Sequence, residues 1–144
     1  MVIDPSALLA ILLDEPERPV FNQMIEGADT RWMSTATFVE TSIVIEARHG
    51  SDGLRDLDLL LERADIKLIP VDGEQARAAR HAWSQFGKGR HQAALNYGDC
   101  FSYALARTSD QPLLFKGDDF GRTDVIVAEP GADETPESAA DRPD

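Results

Sequence analysis

The chain has 144 residues, 42% of them hydrophobic, with a formal net charge of −12. That length suits one domain with a full core, and the acidity argues against holding nucleic acid by bulk electrostatics. No apolar run reaches the roughly 18–20 residues that cross a bilayer, no basic leader precedes Val2, and the lone Cys100 cannot form an internal disulfide, so a cytoplasmic protein away from the membrane is expected.

Met1 to Asp4 is a short apolar run ending in an acid, and it reads as a buried parallel strand. Pro5 suits the first turn of a helix carrying Leu8, Leu9, Ile11, Leu12 and Leu13, which makes Asp4 a natural N-cap. A second amphipathic helix spans about Arg18 to Gly27, with Val20, Phe21, Met24 and Ile25 turned inward. Arg31 to Ala36 is a second strand. A helix capped by Thr35 or Thr37 follows over Phe38 to Arg48 and stops at Gly50. Glu40 falls in its first turn, where a carboxylate complements the helix dipole.

The leucine-rich stretch Asp56–Ala64 fits a separate helix, Ile66–Val71 a third strand, and Gly73–Phe86 another helix. Gly87 to Ala94 reads as a flexible basic loop. From Leu95 to Ala106 a turn with Asn96 and Gly98 opens a helix at Asp99, where an Asp is ordinarily the N-cap. Pro112–Lys116 is a fourth strand ending in Gly117, Asp118, Asp119 and Phe120, and Thr123–Ala128 a last edge strand. Residues 129–144 hold six acids against Arg142 and no large apolar side chain, a composition expected of a disordered tail after a domain spanning 1–128.

Strands alternating with helices imply an α/β domain, a three-layer sandwich around a central, mostly parallel sheet. In such sheets the functional crevice lies beyond the carboxyl ends of the strands. Asp4, Glu40, Asp99 and the Asp118–Asp119 pair all fall at a strand end or an adjoining helix start. Carboxylates crowded together repel one another, and a hard divalent cation offsets that repulsion; Mg2+ or Mn2+ suits an all-oxygen donor set. Zinc fits poorly, because Cys100 is alone and His49, His81 and His91 show no ligand spacing.

A carboxylate-held metal with open water positions suits phosphodiester hydrolysis. Ser6 and Thr37 lie near the expected rim without a histidine to activate them, so they orient acids or waters rather than attack. Arg48, Lys88, Arg90, Lys116 and Arg122 are the bases available for backbone phosphates. For Lys88 and Arg90 a solvated turn is an equal reading.

Four stretches resemble the motifs of PIN-domain ribonucleases, specifically the VapC toxins of bacterial toxin–antitoxin systems: Val2–Ala10, Met33–Thr41, Leu95–Ala106 and Leu113–Asp124. The resemblance covers roughly residues 1–128 and implies a Mg2+- or Mn2+-dependent endoribonuclease that arrests growth by cutting RNA. Asp4, Glu40 and Asp99 match the family's first three acids. The fourth falls on Asp119, with Asp118 as the alternative. Pro5 stands where relatives usually carry Thr, while Ser6 is kept. The resemblance also implies a cognate VapB antitoxin and homodimerisation. Leu9, Leu12, Leu13, Val20 and Phe21 offer a groove for an antitoxin helix, or are ordinary core.

Two other functions compete. A phosphoacceptor receiver domain also gathers acids and Mg2+ at strand ends, with Lys116 as its charged partner, but it wants paired acids after the first strand, where Asp4 stands alone. A non-catalytic acidic module binding a basic peptide is the other.

Overall fold

Val2 and Ile3 form a strand of only two residues, β1, yet their alternation organises the molecule. In the computed structural model, which describes residues 1–131, β1 lies in a four-stranded sheet with β2 (Trp32–Ser34), β3 (Lys67–Ile69) and β4 (Leu113–Leu114). The order is β3-β2-β1-β4 and every pairing is parallel, with Val2 opposite Trp32 and Leu113, and Ile3 opposite Leu114.

Successive strand residues face opposite sides of a sheet. Ile3, Met33 and Leu114 accordingly enter one apolar cluster, with Leu8 and Ile11 of α1 (Pro5–Leu12), Phe21 and Met24 of α2 (Arg18–Gly27), and Ile45 and Leu57 of α3 (Thr35–Arg63). Val2 and Leu113 enter the other, with Ala79 and Ala82 of α4 (Gly73–Phe86) and Cys100, Tyr103 and Leu105 of α5 (Tyr97–Ser109). Each fully buried large aliphatic contributes roughly 1.5–3 kcal/mol. The result is the expected three-layer α/β sandwich. Leu9, Leu12, Leu13 and Val20 are partly buried against the first cluster and Phe21 lies within it, so they serve mainly as core. Among the described residues no helix is long and apolar enough to cross a membrane.

Several elements differ from expectation. The break expected at Gly50 is present inside α3: Gly50 has non-helical backbone, φ 61° and ψ −149°, and a second helical segment follows it. Neither Thr35 nor Thr37 caps it; Ser34 does, accepting from the Ala36 N–H at 3.2 Å. The earlier start moves Glu40 out of the first turn. Helix α5 likewise starts before Asp99, at Tyr97, with Asn96 as its N-cap.

The basic loop is pinned rather than free. Lys88 N–H donates to the Leu95 carbonyl and Leu95 N–H to that of Phe86, both at 2.9 Å. Ala93 is buried, and His91 sets its ring edge-on to Phe86 while accepting from the Ala93 N–H. The expected last strand shrinks to a single parallel bridge, Leu113 with Val127. Most of the expected tail, residues 132–144, lies outside the described residues.

Candidate active site

Asp4 follows β1 directly and caps α1 with extended backbone, φ −78° and ψ 152°. It is 4% exposed. Its Oδ2 accepts from the Ser6 N–H at 2.9 Å and the Ser6 hydroxyl at 2.6 Å, and its Oδ1 accepts from the Ser102 hydroxyl at 2.6 Å. Ser6 in turn accepts from the Lys116 N–H at 3.0 Å. The carboxylate is thus tied at once to the start of α1, to α5 and, through Ser6, to the chain leaving β4. Burial drives its pKa upward, against the opposing pull of the two serines. Capping and site formation are one arrangement here, not alternatives.

Asp99 is the third residue of α5 and completes a capping box. Asp99 N–H donates to Asn96 Oδ1 at 2.9 Å, and Asn96 N–H donates back to Asp99 Oδ2 at 3.0 Å. Its pKa is pushed up to about 6, chiefly by burial, with the charges of Asp4 and Asp119 adding to the rise and the Asn96 N–H opposing it. Glu40 reaches the same place from α3. Its carboxylate lies over the α-carbon of Gly98, where any β-carbon would run into it. Burial, then the charges of Asp4 and Asp99, raise its pKa too.

Asp118 and Asp119 are both exposed in the turn after β4, ahead of a short 3-10 turn at Phe120–Arg122. Phe120 is buried beside Phe115 and anchors that turn. Asp119, not Asp118, is the one whose charge bears on Asp99. Among the described residues, Asp4, Glu40, Asp99 and Asp119 have no ion-pair partner.

Other expected site residues stand elsewhere. The Thr37 hydroxyl is buried and donates to the Ser34 carbonyl at 3.2 Å, so it secures the start of α3 and touches no acid. Lys116 turns its ammonium away, pairing with Glu15 and, at 3.4 Å, with Glu17. In this arrangement its ammonium lies against Glu15 and Glu17 at the surface rather than against the four acids. Arg48 is exposed near the kink of α3, Arg90 is exposed in the pinned loop, and Lys88 lines a groove between α4 and α5. Arg122 approaches the Gln92 carbonyl at 3.4 Å.

Ser102 escaped the sequence reading. Its spacing of three from Asp99 puts it on the same face of α5, which is the one signal that points to it.

Among the described residues no three acids, histidines or cysteines already stand at direct ligand spacing. Both Asp4 oxygens are engaged by serines, and one Asp99 oxygen by Asn96. The donor set nonetheless fits a hard cation that keeps much of its water. It is all carboxylate, its charges repel one another, and no protein cation compensates them.

A family model described as the PIN domain matches residues 1–126. The chain belongs to the PIN-domain family. Within it, the chain is 58% identical to the ribonuclease VapC of Mycolicibacterium smegmatis over 127 residues, which is 88% of this chain and 98% of that one. It is therefore a VapC-family PIN domain. The crystal structure of Mycobacterium tuberculosis VapC20, a Sarcin-Ricin loop cleaving toxin, shares its fold with a TM-score of 0.72 at 13% identity, covering 90% of this chain and 98% of that one. VapBC2 from Rickettsia felis, bound to a promoter DNA fragment, has a TM-score of 0.69 at 14% identity over 89% and 96% of the two chains. The PIN fold thus accounts for acids from α1's cap, the body of α3, the first turn of α5 and the turn after β4 meeting at one rim.

Proposed function

We propose that this VapC-family protein is the toxin of a toxin–antitoxin pair, an endoribonuclease that hydrolyses RNA phosphodiesters with Mg2+ or Mn2+. One observation carries the reading: Asp4, Glu40, Asp99 and Asp119 act on one another's charge at one rim without a protein cation between them. The ribonuclease name of the 58% identical relative supports the reaction class.

Asp4, Asp99 and Asp119 would hold the metal, with Glu40 beside them. The bound metal supplies electrophilic stabilisation of the phosphoryl oxygens and acidifies water. The chain's own residues do the rest. Ser6 and Ser102 donate to the two Asp4 oxygens and oppose the upward push of burial on its pKa. Gly98 admits the Glu40 carboxylate to the first turn of α5, where it takes a proton from the attacking water. Asn96 fixes Asp99 through the capping box. Arg48, Lys88 and Arg90 remain available for phosphates once Lys116 is engaged.

The partner is a VapB-type antitoxin, in keeping with the VapBC assembly among the structural neighbours. A groove of about 270 Å³ lined by Ile11, Leu12, Leu59 and Leu60, with Arg18, Asp56 and Arg63 at its edges, suits the apolar face of an amphipathic helix. Homodimerisation would cover Val39 and Ile43, one turn apart on α3 and 54% and 64% exposed. The deciding experiment is titration calorimetry with Mn2+ alongside RNA cleavage, comparing wild type with Asp99→Asn. Manganese uptake and cleavage by wild type alone are expected. Equal cleavage by the variant, or no metal uptake by wild type, refutes the reading.

A further inference from the structure

Helices α4 and α5 leave between them an open groove of about 540 Å³, walled by Trp83, Tyr97, Cys100 and Phe101 and edged by Arg80 and Lys88. Large aromatics are usually buried in the core, but here Tyr97 is 79% exposed and Trp83 39%. Tyr97 makes a T-shaped contact with Phe101, ring centroids 5.0 Å apart, while most of its side chain stays exposed. The groove adjoins the acid cluster at Asn96, although none of the four acids lines it. Asn96 lines it and is hydrogen-bonded to Asp99, and Gly98, the residue after Tyr97, carries the Glu40 carboxylate.

We propose that this groove seats an unpaired nucleobase of single-stranded RNA, stacked on Tyr97, with Arg80 and Lys88 on the flanking phosphates. The proposal rests on the ribonuclease reading and adds where the substrate strand lies. Two arguments favour RNA over a second copy of this chain. Every base has a π-face, so an aromatic-walled slot beside cations fits a single strand without requiring a fixed sequence. The two cations at its edge also complement phosphate, which the chain's overall net charge of −12 would repel. Tyr97 is then a substrate-positioning residue, placing the nucleotide beside the bond presented to Asp99.

The test is binding of a short, fluorescein-labelled single-stranded RNA by the full chain, followed by anisotropy in EDTA so that nothing is cut. Tyr97→Ala should weaken binding about tenfold or more, and Tyr97→Phe should restore it. Arg80→Ala and Lys88→Ala should each lower the slope of log affinity against log salt by about 0.7. An RNA of the same length with abasic sites should bind wild type as weakly as it binds Tyr97→Ala.

Unchanged affinity in Tyr97→Ala, or no saturable binding by wild type, overturns the proposal. So does sedimentation showing that Tyr97→Ala converts a dimer to monomers while each monomer binds RNA as before, which assigns the groove to a second copy. Cleavage by wild type with Mn2+, measured in parallel, separates the two claims. Cleavage with unaltered Tyr97→Ala binding fails only the groove, whereas groove binding without any cleavage fails only the nuclease reading.

Discussion

The Ser102 hydroxyl donates to Asp4 Oδ1 at 2.6 Å, joining residues 98 apart in the chain inside a buried site. Through this bond α5 delivers Asp99 and a fixed Asp4 to the same rim. A buried carboxylate oxygen stripped of its donor bears the full desolvation penalty.

Ser102→Ala should therefore destabilise the fold by about 1–3 kcal/mol. It should also lower Mn2+ affinity and cleavage rate, while Ser102→Thr keeps part of both. Urea melts and titration calorimetry on the same preparations check this.

Gly98→Ala tests the close approach of Glu40. Alanine favours the helix over glycine by roughly 0.5–1 kcal/mol, so stability should hold or rise slightly. The new methyl group occupies the space of the Glu40 carboxylate and displaces it. Cleavage should fall by an order of magnitude or more, with an unchanged melting temperature. A fully active variant would show that Glu40 does not need this position.

Asp99→Asn should abolish cleavage and leave the fold intact, because an amide oxygen can still accept the Asn96 N–H. Without metal the variant should be more stable than wild type at pH 7, by on the order of 1 kcal/mol after allowing for solvent screening of a partly exposed group. Thermal melts in EDTA give the comparison.

The same carboxylate sets a pH dependence. Asp99 titrates at about 6 in the folded chain, above the 3.8 of an unperturbed Asp. The folded state therefore binds more protons than the unfolded state between those values, and stability from this group falls as pH rises through that window. Metal-free wild type should gain stability from pH 7 to pH 5 relative to Asp99→Asn. Mn2+ affinity should move the opposite way, declining below about pH 6 as protons compete. Parallel melts and calorimetry at pH 5, 6 and 7 measure both trends.

Glu40 lies past the first turn of α3, but the alternation of strands and helices, the three-layer architecture and the placing of Asp4 and Asp99 beside a strand end or helix start were legible in the sequence. Each depends on neighbours within a few residues: apolar alternation in Val2–Ile3, Pro5 after Asp4, and the acid three places after Asn96. Element ends were less legible. Ser34 and Asn96 took the caps that Thr35 or Thr37 and Asp99 were expected to hold, since several adjacent side chains can cap a helix and packing selects one. Gly50 announced a break, and its non-helical backbone divides α3 into two segments whose Ile45 and Leu57 enter one apolar cluster.

By itself the sequence determined that acids would stand at the carboxyl edge of a parallel sheet, because local pattern decides where strands stop and helices begin. Tertiary structure alone decided that Ser102 holds Asp4 and that Lys116 pairs with Glu15 and Glu17. Those outcomes join residues far apart in the chain, and their energies exist only once the layers have packed and water has been displaced between them.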